Sequence, residues 1–440
     1  MKVLLIYPRF GYPSKAALTA PLGILYIAAV LRREGHEVSF LDLTFKETLP
    51  GLEGHLQGID FVGVSVSSAM AGRAVEVAQA IRRLSPSLPL IAGGPHATVK
   101  PEHLLKAGFD AAVIGEGEET IVDLLKAFLG EKPLDTVQGI AFMKEGKLTV
   151  TEPRPFIGDL DSILEPARDL VDWQAYYGKS TAFDGMIASR GCPHRCIFCK
   201  PMQDRLFGRR VRYRSPGAIL DEMAGYRELW KAHSPLALQG IPFLVMFLDD
   251  MFLSSPSWVD GFMTEVERRG ERFWWGCQAR VDAVDEERFR RMKEAGCLMV
   301  AFGVESGSPS VLEFLKKGIT VDETRRAFEI CRRLGINTHA YVIIGSPEET
   351  RDDLKATVSL IKEIQPTTCY VARATPIPGS YLHEYAEERG IINRGCRDEH
   401  YDYYYTRLPM KLTHLGEKDL DECERALNAL FPSPVELRRQ

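Results

Sequence analysis

The first part of the chain alternates short runs of β-branched and aromatic residues with helical patterns. The clearest helix is predicted over Leu22–Arg33, whose apolar side chains fall on one stripe and which Gly35 would end. Strands that alternate with helices indicate a parallel, doubly wound sheet, and such sheets bind ligands beyond the carboxyl ends of their strands. The predicted strands are Val3–Tyr7, Glu37–Leu41, Phe61–Val66, Leu90–Ala92 and Ala111–Ile114.

A second alternating series follows a predicted hairpin over Gly139–Thr151 and a polar connector that ends near Ala182. Six strand–helix units predict a partial parallel barrel, and barrels of this kind carry their chemistry on the loops after the strands. Asp322–Leu334 and Arg351–Ile364 are two of the predicted helices. The predicted strands are Gly185–Ser189, Phe243–Leu248, Phe273–Cys277, Leu298–Phe302, Thr338–Ile343 and Thr368–Ala374.

These patterns together predict an α/β protein in four parts. Residues 1–137 form a doubly wound, Rossmann-like or flavodoxin-like domain, and residues 138–182 form the hairpin and a linker. Residues 183–380 form a partial (β/α)6 barrel of the TIM type, and residues 381–440 form a C-terminal region that covers the barrel.

Composition and charge exclude several classes of protein. The 440 residues are 45% hydrophobic and 26% charged, as in ordinary globular proteins. A net charge of -5 argues against a general nucleic-acid binder, and no apolar stretch approaches the ~18–20 residues of a membrane span. Nine cysteines without a signal-peptide pattern argue against a disulfide framework. We therefore expect a cytoplasmic protein with no membrane span and no nucleic-acid partner.

Three of the cysteines, Cys192, Cys196 and Cys199, form a Cys-x3-Cys-x2-Cys loop directly after the first barrel strand. Three thiolates at this spacing can bind three corners of a cubane [4Fe–4S] cluster and leave its fourth iron open to an outside ligand. A zinc site completed by His194 is the alternative. Structural zinc usually takes four ligands in paired spacing, however, and no second Cys/His pair lies nearby in the sequence.

This loop, with Phe198 at its aromatic position, resembles the signature of the radical S-adenosylmethionine (SAM) superfamily. The resemblance implies that SAM chelates the open iron and is cleaved to a 5′-deoxyadenosyl radical, which abstracts hydrogen from a substrate. Later segments match the family in order, although Tyr341 replaces the first glycine of a Gly-x-Ile-x-Gly-x-x-Glu motif that ends at Glu348. Asp249 could instead belong to a turn or a helix cap. The resemblance assigns SAM contacts to Phe198, Asp249, Arg280, Glu305, Ile343 and Gly345.

The first domain lacks the Gly-rich turn of a dinucleotide-binding fold, because Tyr7–Phe10 follows its first strand. Its segments at the strand ends instead resemble the cobalamin-binding domain that precedes the barrel in one radical SAM subfamily. Glycines and small hydroxyl residues there would let the backbone approach a flat macrocycle. The resemblance assigns cobalamin contacts to Pro21, Gly23, Ser65, Ser67, Gly93, Gly94, His96, Gly115, Glu116 and Gly117.

The sequence has no Asp-x-His-x-x-Gly motif, which supplies the lower cobalt ligand in better-known cobalamin proteins. The lower face of cobalt is therefore expected to be open or to meet another group. For His96, a turn histidine that is hydrogen-bonded to backbone is favoured over a cobalt ligand. A degenerate domain that binds no ligand is the remaining alternative.

The combined resemblance implies C-methylation, in which a substrate radical takes a methyl group from methylcobalamin. It also implies an external one-electron donor similar to flavodoxin or ferredoxin. A peptide or protein substrate, such as a glutamine of methyl-coenzyme M reductase, is favoured over a small molecule. No catalytic acid or base is assigned, and Tyr403 and Tyr404 line either the substrate pocket or a packed aromatic tail. The alternatives are a cyclase or skeleton-rearranging enzyme with the same cofactors, and a non-catalytic cobalamin or redox sensor.

Overall fold

Apolar strands and amphipathic helices alternate along the chain and build one large sheet in each half of it. The computed structural model describes residues 1–9, 19–46, 51–179, 184–238, 240, 242–392 and 412–431. The predicted pocket residues Tyr403 and Tyr404 lie outside the described residues.

The first half of the chain contains seven strands and six α-helices among its described residues. The strands are β1 (Lys2–Tyr7), β2 (Glu37–Asp42), β3 (Phe61–Ser65), β4 (Leu90–Gly93), β5 (Ala111–Val113), β6 (Ile140–Lys144) and β7 (Lys147–Val150). The helices are α1 (Leu22–Arg33), α2 (Leu52–Leu56), α3 (Ala71–Leu84), α4 (Pro95–Val99), α5 (Pro101–Lys106) and α6 (Glu118–Phe128).

The first sheet has the strand order β2-β1-β3-β4-β5-β6-β7. Strands β1 to β5 pair in parallel, as the alternating pattern predicts, and apolar residues are buried on both faces of the sheet. The hairpin that follows the predicted boundary after residue 137 joins this sheet, because β6 pairs antiparallel with β5 and β7 pairs with β6. An isolated hairpin is only marginally stable, and the edge of β5 supplies the third strand that it needs.

The second half of the chain contains eight strands and eleven α-helices among its described residues. The strands are β8 (Asp184–Met186), β9 (Ser189–Arg190), β10 (Arg212–Tyr213), β11 (Leu244–Phe247), β12 (Trp274–Ala279), β13 (Cys297–Glu305), β14 (Asn337–Ile344) and β15 (Thr368–Arg373). The helices are α7 (Trp173–Lys179), α8 (Met202–Phe207), α9 (Pro216–His233), α10 (Pro235–Leu238), α11 (Pro256–Arg269), α12 (Glu286–Glu294), α13 (Pro309–Phe314), α14 (Val321–Leu334), α15 (Arg351–Ile364), α16 (Tyr381–Glu388) and α17 (Glu417–Asn428).

Six parallel strands form the partial barrel, in the order β15-β14-β13-β12-β11-β8. Side chains alternate along each strand, so that on β14 Ala340, Val342 and Ile344 enter the apolar core while the residues between them are half-buried. The half-buried set therefore faces the interior of the barrel. This fold confirms the predicted α/β architecture of a Rossmann-like domain followed by a partial barrel.

The C-terminal helix α17 packs against α15 and the edge strand β15. Arg373 on β15 donates hydrogen bonds to Glu417 and Asp421 on this helix, at 2.7 and 2.5 Å. The described part of the C-terminal region thus covers the open edge of the barrel sheet, which would otherwise present unpaired backbone groups. None of the described helices combines the length and the apolar character that a bilayer crossing requires.

Candidate functional site

A cavity of about 990 Å³, its open mouth included, lies at the carboxyl ends of β3, β4 and β5. Its surface is mostly apolar side chain and bare glycine backbone. The position is the one that a doubly wound sheet provides for a ligand. The predicted cobalamin residues in its lining are Gly23, Ser65, Gly93, Gly94, Gly115, Glu116 and Gly117.

The glycines of the cavity do two different things. A Cβ added to Gly93 would lie 4.0 Å from the nearest atom, the Cβ of Val113, and one added to Gly23 would meet nothing within 4 Å. Those two positions therefore keep space open for a ligand. Gly94 has φ 94° and ψ -172°, and a Cβ there would lie 3.0 Å from the carbonyl oxygen of Val66. The backbone itself requires glycine at that position.

Three predicted cobalamin residues do not line this cavity: Pro21, Ser67 and His96. Pro21 lies just before α1. The imidazole of His96 is fully buried, and its two nitrogens lie 3.1 Å from Ser68 Oγ and 3.0 Å from His103 Nδ1. The sequence favoured a backbone hydrogen bond for this histidine, and the structure shows these two side-chain partners.

The lining of the cavity also suits a large macrocycle whose metal takes no histidine ligand from the protein. Among the described residues, its lining contains no histidine. The hydroxyl Oγ of Ser67, at the end of β3, is buried without a hydrogen-bond partner among the described residues. A bare glycine wall, an apolar lining and an unsatisfied hydroxyl nearby fit a bulky ligand that brings its own polar groups.

One wall of the cavity comes from the barrel. Ile187, Arg190, Leu206 and Phe207 line it, and these residues flank the cysteine loop on both sides. The guanidinium of Arg190 donates to Glu116 Oε1 at 3.0 Å and to Glu118 Oε1 at 2.5 Å. Glu116 thus lines the cavity, but its carboxylate is held by an arginine of the other domain.

The cysteine loop is held in place by its own backbone and by neighbouring segments. Cys192 N–H donates to the carbonyl oxygen of Gly208 at 3.2 Å, and Lys200 Nζ donates to the carbonyl oxygen of Cys192 at 2.7 Å. Gly191 has φ 104°, and a Cβ there would collide with the carbonyl oxygen of Arg210. Burial raises the pKa of all three thiols, so an electropositive metal group must draw the protons off.

The loop offers three thiolates, at Cys192, Cys196 and Cys199, which suits three corners of a cubane better than a structural zinc site of four ligands. A zinc ion needs its ligands at about 2.0–2.3 Å. A cubane instead places each thiolate on a different iron. His194 is half-buried, and desolvation followed by the charge of Arg280 lowers its pKa.

Three of the predicted SAM residues converge on Lys317, which sequence reasoning missed. Glu305 has φ 60° and accepts a hydrogen bond from Lys317 Nζ at 2.6 Å, while Arg280 donates to the carbonyl oxygen of Lys317 at 2.8 Å. The ammonium of Lys317 also lies 6.0 Å from the ring centre of Phe198. After burial, the charges of Lys317, Arg280 and Glu305 have the largest effects on the pKa of Cys196. This group therefore lies beside the cysteine loop.

Asp249 lies behind the loop. It is buried at the end of β11 and accepts hydrogen bonds from Ala188 N–H at 3.0 Å and from Ser189 Oγ at 2.6 Å. Desolvation raises its pKa to about 7, although these hydrogen bonds oppose the shift. Its carboxyl thus anchors the chain that leads into Cys192, and a direct contact with SAM stays a prediction.

The remaining predicted SAM residues lie on and after β14. Ile343 is half-buried on the lumen side, and Gly345 has φ 79° just beyond the strand. The carboxylate of Glu349 accepts hydrogen bonds from the N–H groups of Gly345 and Ser346. The motif match ends at Glu348, and the residue that holds this turn is the neighbouring Glu349.

Sequence reasoning also missed the barrel-derived wall of the cavity, and it assigned no contact to Gly63, which belongs to one of the segments that resemble the cobalamin-binding domain. A Cβ on Gly63 would lie 2.8 Å from Leu5 Cδ2, so the glycine leaves room for the Leu5 side chain beneath the cavity. A glycine in the middle of an apolar strand was the available signal. Arg190 and Phe207 carried no comparable signal, because only the folded chain brings them to the first domain.

Two family matches cover the two halves of the chain. The sequence matches the B12 binding domain over residues 16–125 and the radical SAM superfamily over residues 186–361. It is 30% identical to an uncharacterized methyltransferase of Pyrococcus horikoshii, over 97% of this chain and 91% of the relative. It is 27% identical to the anaerobic magnesium-protoporphyrin IX monomethyl ester cyclase of Rubrivivax gelatinosus, over 87% of this chain and 70% of the relative.

A solved structure shows the same fold. The radical S-adenosylmethionine methyltransferase TsrM from Kitasatospora setae, with cobalamin and a [4Fe-4S] cluster bound, superposes with a TM-score of 0.73. The match covers 98% of this chain and 89% of TsrM at 21% sequence identity.

Proposed function

Because the chain belongs to the cobalamin-dependent radical SAM methyltransferase family, we propose that it transfers a methyl group to an unactivated carbon. When bound, cobalamin, the cluster and SAM supply the methyl donor, the reducing electron and the hydrogen-abstracting radical. One observation carries the proposal: the residues that flank the cysteine loop form a wall of the glycine-lined cavity. The two proposed cofactor sites would therefore lie next to each other.

The residues of the chain divide into three groups in this proposal. The cysteines at 192, 196 and 199 would hold the cluster, and the glycines around β3, β4 and β5 would admit cobalamin. Phe198, Ile343 and Gly345 would receive the adenine of SAM, and the Glu305–Lys317 pair would face its polar groups. The pair is about 8% exposed, which keeps these charges away from water.

No general acid or base is assigned, because removal of a hydrogen atom needs no proton acceptor. The residues of the chain instead position the reacting groups and exclude water from them. Lys200 and Gly191 fix the loop backbone, and Asp249 fixes the strand before it. A radical intermediate must be kept from water and from side reactions, which a rigid apolar enclosure does.

The substrate is the finer part of the proposal. A peptide substrate, with a glutamine of methyl-coenzyme M reductase as one candidate, rests on the sequence argument alone. The named cyclase acts on a magnesium-porphyrin ester, which supports a test of small, largely apolar molecules beside peptides. The same relative keeps the cyclase alternative in the test.

We also assign the electron to an external carrier of the flavodoxin or ferredoxin type. The segment around the cysteines carries several exposed arginines in a chain whose net charge is -5. A local positive patch on an acidic protein attracts an acidic carrier and speeds its association at low ionic strength. These arginines are Arg195, Arg205, Arg209 and Arg210.

The decisive experiment is an anaerobic assay of protein loaded with iron, sulfide and cobalamin. With SAM and a strong reductant, the proposal expects 5′-deoxyadenosine, S-adenosylhomocysteine and a product heavier by one CH2. Alanine at any of the three loop cysteines should abolish deoxyadenosine, and Cys423→Ala on α17 is the matched control that should not. Deoxyadenosine without S-adenosylhomocysteine would favour the cyclase alternative. Full cleavage by the loop variants would refute the mechanism.

A further inference from the structure

Two arginines face each other across the short sheet that leads into the cysteine loop. Arg190 on β9 and Arg212 on β10 are direct cross-strand partners, and each side chain is about 8% exposed. Like charges at opposed positions destabilise an antiparallel pair, and buried charges need partners of the opposite sign. In the described part of the chain, the carboxylates that pair with them belong to the first domain.

Two glutamates of the first domain neutralise this arginine pair. Glu116 Oε1 accepts a hydrogen bond from Arg190 and another from Arg212, both at 3.0 Å, and Glu116 Oε2 accepts from Arg212 at 3.0 Å and from Ile157 N–H at 2.8 Å. Glu118 Oε1 accepts a hydrogen bond from Nη2 of Arg190 at 2.5 Å. The four side chains, two acidic and two basic, form a neutral buried set that we call the interdomain charge cluster.

The interdomain charge cluster joins the two places where the cofactors would bind. Glu116 and Glu118 belong to the segment after β5 that lines the cavity. Arg190 also lines the cavity and stands two positions before Cys192. Its guanidinium is flanked by the rings of Tyr26 and Phe207, with centres at 5.5 and 5.6 Å. A forked cation that is held by two carboxylates and lies next to two rings has little freedom to move.

We propose that Arg190 is a positioning residue that sets the distance between the cobalamin cavity and the cysteine loop. The cross-strand arginines are stable only with the first domain docked, so the strand entering the loop is ordered by the glutamates of the cavity. The inference rests on the proposed function for its meaning, since it concerns the spacing of two cofactor sites. The geometry of the interdomain charge cluster does not depend on the proposed function.

Pulsed paramagnetic resonance tests the spacing on the loaded protein without turnover. Cobalt(II) cobalamin and the reduced cluster each carry an unpaired electron, and their dipolar coupling reports the distance between them. We expect one narrow distance distribution in the wild type and a distribution at least twofold broader in Arg190→Gln. Arg373→Gln is the matched control, because it removes an arginine that holds several carboxylates far from the loop. An unchanged distribution in Arg190→Gln would overturn the proposal.

Hydrogen exchange on the full chain without cofactors gives a second, independent test. In Arg190→Lys, which keeps the charge but not the fork, peptides spanning 113–121 and 186–192 should both exchange at least tenfold faster. Arg373→Gln should leave both peptides protected. Acceleration of one peptide alone, or of neither, contradicts the coupling. If wild-type protein holds no cobalamin or no iron–sulfur cluster, the proposed function fails. The exchange experiment still tests the interdomain charge cluster, because it uses protein without cofactors.

Discussion

Adjacent glycines at the end of β4 should respond in opposite ways to the same added methyl group. Gly94 has φ 94° and ψ -172°, a region that is essentially closed to other residues and costs about 1–3 kcal/mol when they are forced into it. Its Cβ would also lie 3.0 and 3.2 Å from the backbone oxygen and nitrogen of Val66, which hydrogen-bond to His96 and Gly93. Gly94→Ala should therefore lose at least that free energy of unfolding.

Gly93→Ala should leave the fold intact. Its Cβ would find no atom closer than 4.0 Å, so the change in stability should stay within about 0.5 kcal/mol, or favour the folded state by up to about 1 kcal/mol through the unfolded chain. The new side chain would point into the cavity, because Gly93 lines it. Gly93→Leu should therefore fold and yet fail to retain cobalamin.

Thermal unfolding by circular dichroism and cobalamin absorbance after desalting separate the two effects. One kcal/mol corresponds to about 2–4 °C in the Tm of a domain of 150–250 residues. Gly225→Ala, on the exposed face of α9 with open space around it, is the control for a glycine replaced far from the cavity. Equal stability of Gly93→Ala and Gly94→Ala would refute the backbone argument. Normal cobalamin binding by Gly93→Leu would refute the cavity assignment.

Three further outcomes follow from buried charges. Asp249 has its pKa raised from 3.8 to about 7, so the folded state holds the proton more tightly and stability should fall as pH rises from about 4 to 7, an effect that Asp249→Asn should remove. This is read from Tm against pH, and an equal slope in both proteins would contradict it. Glu222→Gln should cost about 3–5 kcal/mol in denaturant unfolding, because it leaves two buried arginines without their shared carboxylate. A loss below about 1 kcal/mol would show that those arginines find other partners. Gly303→Ala would place its Cβ 2.5 Å from both Glu305 Oε1 and Lys317 Nζ, so SAM binding measured by calorimetry should weaken while Tm changes little. Unchanged SAM affinity would show that this ion pair is not part of the SAM site.

Elements with strong local signals could be predicted from the sequence. The bounds predicted for α1 and α15 are those observed. In α15 the structure shows why: Thr350 and Asp353 form a capping box at its start. The cysteine loop and the glycines at the strand ends were also identifiable, because their chemistry lies in consecutive residues. Local patterns therefore sufficed for the architecture and for most of the cavity.

Features that depend on distant residues could not be predicted. Strands β9 and β10 have two residues each, which is too short to leave a periodic pattern. Arg190 and Glu116 are 74 positions apart, and no spacing rule connects them. Lys317 looked like one charged residue in a loop, and its role follows only from its contact with Glu305. The position of His96 just after Gly94 predicted that it would line the cavity, but its side chain contacts His103.

The interdomain charge cluster has a practical consequence for anyone who recombines parts of such proteins. Glu116 and Glu118 sit on one side of any crossover placed in the linker, and Arg190 and Arg212 sit on the other. A chimaera that inherits only the arginines would bury two uncompensated positive charges next to the metal-binding loop. The residues at these four positions should therefore come from the same parent protein, whatever other parts are exchanged.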